Sequence, residues 1–354
     1  MRVRKSQFVV VLMAAGCLTL FSFCVSAPSA QAQDKALGPD APRWMFDIYA
    51  VYPEDQFLAV IGEGDTRREA EDDAAGALSK IFISNIEVDS TAVLRYHELE
   101  KGDESESSLE RSVDKTVTVG SAQSLFNVLY SDIYTDNLGL VHVVGYLNRQ
   151  KTARIYLQKI AQNGERVAGF LKNMASAREI LRQYAFIDAA VLFARNNELL
   201  LEQLTIISPV ARKTVDLPYD LNKLTALYAD TAAKMKFSLT IKNDSDDKIA
   251  KITTHLLNRK GFTVVRSGAA LSVSGEVLIE DTQLNNKYKN VRWTLMLEMR
   301  DEKRQVIVSY HKNQRVSAVS RSEAVARSYR DMEKQITNEF IGQFEQYLDG
   351  IILK

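Results

Sequence analysis

Cysteine offers the most direct chemistry in this chain, and both copies, Cys17 and Cys24, lie in one apolar stretch near the N-terminus. Ala14-Ala15-Gly16-Cys17 has the shape of a lipobox, where the thiol is acylated and the cysteine becomes the first residue of a lipid-anchored chain. Two features weigh against it. Ala14 stands where leucine is usual, and Leu18-Thr19-Leu20-Phe21 would follow the lipid in place of a polar tether. The competing chemistry is peptide cleavage. Arg2, Arg4 and Lys5 form a positive n-region, a largely apolar run extends from Phe8 to Val25, and Ala30-Gln31-Ala32 gives an A-x-A site before Gln33. Cleavage after Ala32 is the preferred expectation, with Cys17 lipidation as the alternative. Either route exports the chain to the periplasm or outer membrane.

Cleavage would remove both thiols, leaving neither a disulfide nor a thiolate ligand. The remaining candidates are scattered. His97, His142, His255 and His311 show no HxxxH or HxH spacing, and a zinc site needs three or four convergent ligands. His142 alternates with Leu140 and Val144, so a buried, hydrogen-bonded ring is expected there. Gly62-Glu63-Gly64 sits between a strand-like run and a helix, as a dinucleotide fingerprint would, but Arg67 occupies the third glycine position. A strand-to-helix turn in which the glycines take positive φ is expected instead. Glu69, Glu71, Asp72 and Asp73 fit the first turns of a helix, where unpaired N–H groups favour negative charge. A hydrolase using Glu63 or Asp65 would need a second carboxylate across a cleft. No catalytic residue, cofactor or metal is therefore expected, and the chain is expected not to be an enzyme.

Lys and Arg together number 45, as do Asp and Glu, and the leader holds three of the bases and no acid. That balance argues against nucleic acid as a partner, which rewards a dense cationic surface. After Val25 no apolar run approaches the ~20 residues of a spanning helix. Membrane association, if any, is expected to be peripheral or through a lipid.

The elements that would position these groups fall into blocks. A signal peptide covers 1–32 and a polar linker 33–41. Within 42–150, Phe57 to Ile61 reads as a buried strand, and Thr66 with Glu69 makes a capping box. The helix it opens carries Ala70, Ala74, Ala77, Leu78 and Ile81 on one face. Alternation at Ile86, Val88, Ser90, Ala92, Leu94 and Tyr96 predicts a strand, Lys101 to Glu110 an exposed loop, and Asp136 to Gly139 a hairpin turn. Over 151–212, Ala153, Tyr156, Ile160 and Val167, then Tyr184, Ile187, Val191 and Leu201, predict two long antiparallel helices. Asn163-Gly164 is a candidate break in the first. In 213–354, strands are predicted around Phe237, Val273, Leu295 and Val308, with helices near Ile252 and from Ser320 onward. The expected class is α+β: two small antiparallel-sheet-plus-helix domains flanking a helical hairpin. Trp44 and Trp293 are expected to be buried anchors.

Pro42-x-Trp44, Tyr52-Pro53 leading into Phe57-Leu58, Gly62-x-Gly64-x-Thr66, and Ala70, Ala74 and Ala77 together resemble the LPP-twenty lipoprotein family over about residues 42–147. The same topology is similar to the N-terminal domain of the flagellar-ring accessory protein FlgT. The resemblance implies an outer-membrane or periplasmic location and brings no catalytic residues. The expected role is a structural or accessory protein of the bacterial cell envelope, acting through contacts with other envelope proteins. The alternative is an envelope carrier or sensor that binds a lipid or peptidoglycan fragment.

Overall fold

The computed structural model describes residues 38–82, 90–102, 117–119, 123–283 and 287–353. The leader with Cys17, most of the linker, Ile86, Val88 and most of the 101–110 segment lie outside these.

The N-terminal part opens on a short helix α1 (Arg43–Phe46) that buries Trp44. Strand β1 (Phe57–Gly64) pairs antiparallel with β6 (Val141–Asn148) along its whole length, from Phe57 opposite Asn148 to Gly64 opposite Val141. Strands β2 (Val117–Val119) and β3 (Gln123–Leu125) form a separate ribbon. The short strands β4 (Leu129–Tyr130) and β5 (Tyr134–Thr135) pair along the other edge of β6. Helix α2 (Arg67–Ile81) covers the sheet through Ala70, Ala74 and Leu78. Its start is fixed chemically. Thr66 Oγ1 accepts the Glu69 N–H at 3.3 Å, and Glu69 Oε2 accepts the Thr66 N–H at 3.1 Å.

The strand expected through Ala92, Leu94 and Tyr96 is instead helix α3 (Ser90–Gly102). Tyr96 and Leu99, three apart, pack together into a core while Leu94 is exposed, which is helical and not alternating burial.

Helices α4 (Arg149–Ser176) and α5 (Ile180–Ile207) form the expected hairpin. Asn163-Gly164 does not break α4. Asn163 is buried and bonded across the hairpin, and Gly164 makes room for Pro218. Helix α5 buries side chains around most of its circumference, leaving Arg182, Arg195 and Thr205 exposed. Leu181 and Tyr184 join the C-terminal core, Ile187 to Ala194 a middle one, and Leu200 to Ile207 the N-terminal one. It is a spine for the whole chain.

After the short helix α6 (Pro209–Lys213), a helix that periodicity did not reveal, α7 (Leu221–Lys234), starts on Asp220, whose carboxylate accepts the N–H of Asn222 and Lys223. The second sheet holds β7 (Lys236–Lys242), β8 (Thr263–Val264), β9 (Leu271–Thr282), β10 (Lys289–Arg300) and β11 (Val306–Ala318) in the order β11-β10-β9-β7-β8. The last three are antiparallel, but β7 is parallel to both β8 and β9, so this sheet is mixed. The reason is α8 (Lys248–Arg259), the crossover that returns the chain from β7 to start β8 in the same direction. Helices α9 (Arg321–Gln335) and α10 (Ile341–Ile352) cover the sheet and meet at a π-helical turn, Ile336–Phe340. Trp293 is fully buried between these layers. The fold is α+β.

Candidate functional site

The family-like motif residues assemble into a packing device. Gly62 and Gly64 both have negative φ, contrary to the expectation of a left-handed turn. They are small because α2 presses on β1. A Cβ on Gly62 would sit 2.2 Å from the Ala70 carbonyl oxygen and 2.4 Å from the Ala74 nitrogen, and one on Gly64 would sit 2.5 Å from Glu69 Cβ. Ala70 and Ala74 complete the contact, with Gly145 on β6 below Ala74. Pro42 precedes α1, and the Pro53 carbonyl accepts the N–H groups of Gln56 and Phe57 to launch β1. The Tyr52 ring lies against Phe57 and Tyr146, at centroid distances of 5.6 and 4.7 Å.

At the far end of the same sheet, His142 is buried, with Nε2 3.3 Å from Asp136 Oδ2 and Nδ1 4.0 Å from Glu63 Oε2. Asp136 Oδ1 also accepts the N–H groups of Leu138 and Leu140, both at 2.9 Å. Desolvation raises the Asp136 pKa, but the Leu140 N–H, the His142 ring and the Leu138 N–H outweigh it, so the carboxyl lies below its ordinary 3.8. This is a turn clasp. Because the folded pKa is depressed, its contribution is present above pH 3.8 and lost as pH falls through the folded value. Asp136→Asn is therefore expected to flatten the acid limb of the stability curve, measurable by thermal melts between neutral pH and pH 3. An unchanged limb would remove Asp136 from that role.

Of the other histidines, His97 contacts Glu100 while His255 and His311 face solvent. Glu63 is exposed and Asp65 lies on the open turn. Among the described residues no group of three His, Cys, Asp or Glu side chains converges as a metal would require.

The polar residues that do converge lie where the parts of the chain meet. Arg95 on α3 reaches Asp188 on α5 (Nη1 to Oδ2, 2.6 Å) and Asp349 on α10 (Nε to Oδ1, 2.8 Å; Nη2 to Oδ1, 2.5 Å). All three side chains are about 15 % exposed or less. Burial opposes the charge on Arg95, but Asp188 and Asp349 together hold its pKa above the ordinary guanidinium value. Burial pushes the Asp188 carboxyl the other way, upward. With a permanently charged guanidinium at 2.6 Å, the pair is ionic. One turn along α5, the Tyr184 hydroxyl meets that of Tyr228 at 2.9 Å.

A second buried network ties α3 to the hairpin. The Tyr96 hydroxyl donates to Asn163 Oδ1 at 3.1 Å, Asn163 Nδ2 to Asn197 Oδ1 at 2.9 Å, and Asn197 Nδ2 to the Tyr219 hydroxyl at 3.1 Å. Lys159 contacts Glu100 beside it, and burial together with Arg166 pushes its pKa down to about 8.

No family model and no curated protein matches the chain. Among solved structures, a minor lipoprotein from Acinetobacter baumannii aligns over 30% of this chain and 92% of its own, at 19% identity and a TM-score of 0.26. A secreted protein from Helicobacter pylori aligns over 81% of this chain and 100% of its own, at 13% identity and a TM-score of 0.39.

Arg95, Asp188 and Asp349 were not foreseen. One signal was available: Asp188 is the lone charge in the stretch between Arg182 and Arg195, and a buried carboxylate demands a partner. Its partner Arg95 lies 93 positions away in sequence, in a segment whose alternation predicts a strand.

Proposed function

We propose that this chain is a non-enzymatic protein of the bacterial cell envelope, exported to the periplasm or the periplasmic face of the outer membrane, where it works as a scaffold through contacts with other envelope proteins. The observation that carries this is the leader: Arg2, Arg4 and Lys5, the apolar run, and Ala30-Gln31-Ala32. The use of the polar side chains supports it. Asp136 and His142 clasp a turn, Thr66 and Glu69 cap a helix, and Arg95 joins three segments. The LPP-twenty resemblance at residues 42–147 adds the same location. No helix among the described residues is long and apolar enough to cross a membrane.

Mass spectrometry of the protein recovered from fractionated cells tests the export step. The expected product is periplasmic and begins at Gln33. An acylated Cys17 in the membrane fraction would select the lipoprotein form, and an intact leader in the cytosol would overturn the proposal. Photo-cross-linking in intact cells tests the protein contacts, which a uniformly uncross-linked monomer would refute.

One observation favours a carrier as the second possibility. An open groove of about 530 Å³ runs between the start of β1 and the ends of α4 and α5, with Ala153, Leu157, Ile207 and Val210 beside Arg154. Native mass spectrometry of protein extracted from envelopes would show a co-purifying lipid or glycan in that case. Arg154→Glu should then lower its occupancy.

A further inference from the structure

The outer strand of the C-terminal sheet ends in an incomplete row of charges. β11 pairs only with β10, so its other edge has no strand partner among the described residues. It is thirteen residues long and contains no proline. At the level of Arg292, the register sets Glu280 on β9, Arg292 on β10 and Arg315 on β11 side by side. Period-two alternation puts these three on the face opposite Trp293, away from the covering helices. Arg292 and Arg315 are both exposed, and neither makes an ion pair among the described residues. Like charges directly opposite across a ladder destabilise a sheet. Glu280 flanks Arg292 on one side, and the free edge flanks Arg315 on the other.

We propose that the β11 edge takes up an extended acidic segment of another envelope protein as an added strand, with a carboxylate opposite Arg315. The row would then read acid, Arg, Arg, acid across four strands. Main-chain bonds along the edge supply the affinity of such an addition, and alternate side chains supply the choice of partner. A second copy of this chain does not fit. β11 contains no Asp or Glu, and its one lysine, Lys312, already pairs with Glu339 on the π-helical turn at 3.2 Å, so a second β11 would bring no carboxylate to stand opposite Arg315. The other edge, β8, is two residues long and uncharged. Near the end of β11 the Ser317 carbonyl is met by Arg327 at 3.4 Å, which confines the open edge to 306–316. The inference names a surface and a partner chemistry for the protein contacts proposed above, and rests on that proposal.

The test measures fluorescence anisotropy of labelled, end-blocked peptides with the full mature chain. One peptide alternates threonine with glutamate, one threonine with lysine, and one is the glutamate peptide interrupted by proline. The glutamate peptide is expected to bind and to slow amide exchange across 306–316. Arg315→Glu should weaken it about tenfold or more and gain the lysine peptide, while Arg315→Lys keeps most of the binding. Arg315→Glu turns the row into an alternating one, so it should fold at least as well as the parent, which circular dichroism checks. Equal binding of the proline peptide, indifference to Arg315→Glu, or no binding at all would overturn the proposal. So would a concentration-dependent dimer broken by Ser309→Pro. Cross-links that persist elsewhere in cells after such a failure would leave the scaffold function standing and remove only this edge.

Discussion

Arg95→Ala is expected to destabilise the protein by about 3–5 kcal/mol, the range for removing one partner of a buried ion pair. Among the described residues the guanidinium is the only group that meets both Asp188 and Asp349 at contact distance, and both carboxylates are about 15 % exposed or less. Truncation strands two negative charges in a partly desolvated site, where they also repel each other. The loss should be larger than that of either single Asp→Asn change, each of which leaves Arg95 one carboxylate. Because α3, α5 and α10 belong to different parts of the chain, Arg95→Ala should also split one cooperative urea transition into two. The informative control removes the whole cluster: Arg95→Met with Asp188→Leu and Asp349→Leu should recover most of the lost stability, since an apolar replacement leaves nothing unpaired. If Arg95→Ala unfolds at the parent midpoint, the three segments are held by apolar packing and the clamp is incidental.

The sequence made some of this legible and hid the rest for identifiable reasons. Local chemistry read well. Thr66 with Glu69, the Asp136–Gly139 turn and the two long helices depend on neighbours within a few residues, and each formed. The segment around Tyr96 did not read well, because Ala92, Leu94 and Tyr96 satisfy a strand period by chance while Tyr96 and Leu99 satisfy a helical one. Parallel pairing of β7 was hidden because each strand is too short to show which way its neighbour runs. Asn163 looked like a helix breaker because its bonds go to Asn197 and Tyr96, far away in sequence. The candidate chemistry resolved likewise. His142 was found buried as its alternation implied, whereas the Arg95 cluster joins residues up to 254 apart and leaves almost no local trace.

The glycines show how one residue type can carry opposite meanings in a single helix–sheet contact. Gly62→Ala should destabilise by about 3 kcal/mol, at the upper end for overpacking, because the new methyl meets backbone. The atoms in its way are the Ala70 oxygen at 2.2 Å and the Ala74 nitrogen at 2.4 Å, and a helix backbone cannot rotate aside as a side chain can. Gly76→Ala lies on the same helix, α2, and should do the reverse. Nothing stands within 4 Å of the added methyl. There the substitution removes the conformational freedom that glycine has in the unfolded chain, for a gain of about 0.4–1 kcal/mol. Chemical denaturation of the two variants should therefore move the midpoint in opposite directions. If both fall, α2 is held against β1 by something other than close approach at Gly62. If Gly62→Ala is neutral, helix and strand have room to separate, and the small residues of the family-like motif serve a purpose other than packing.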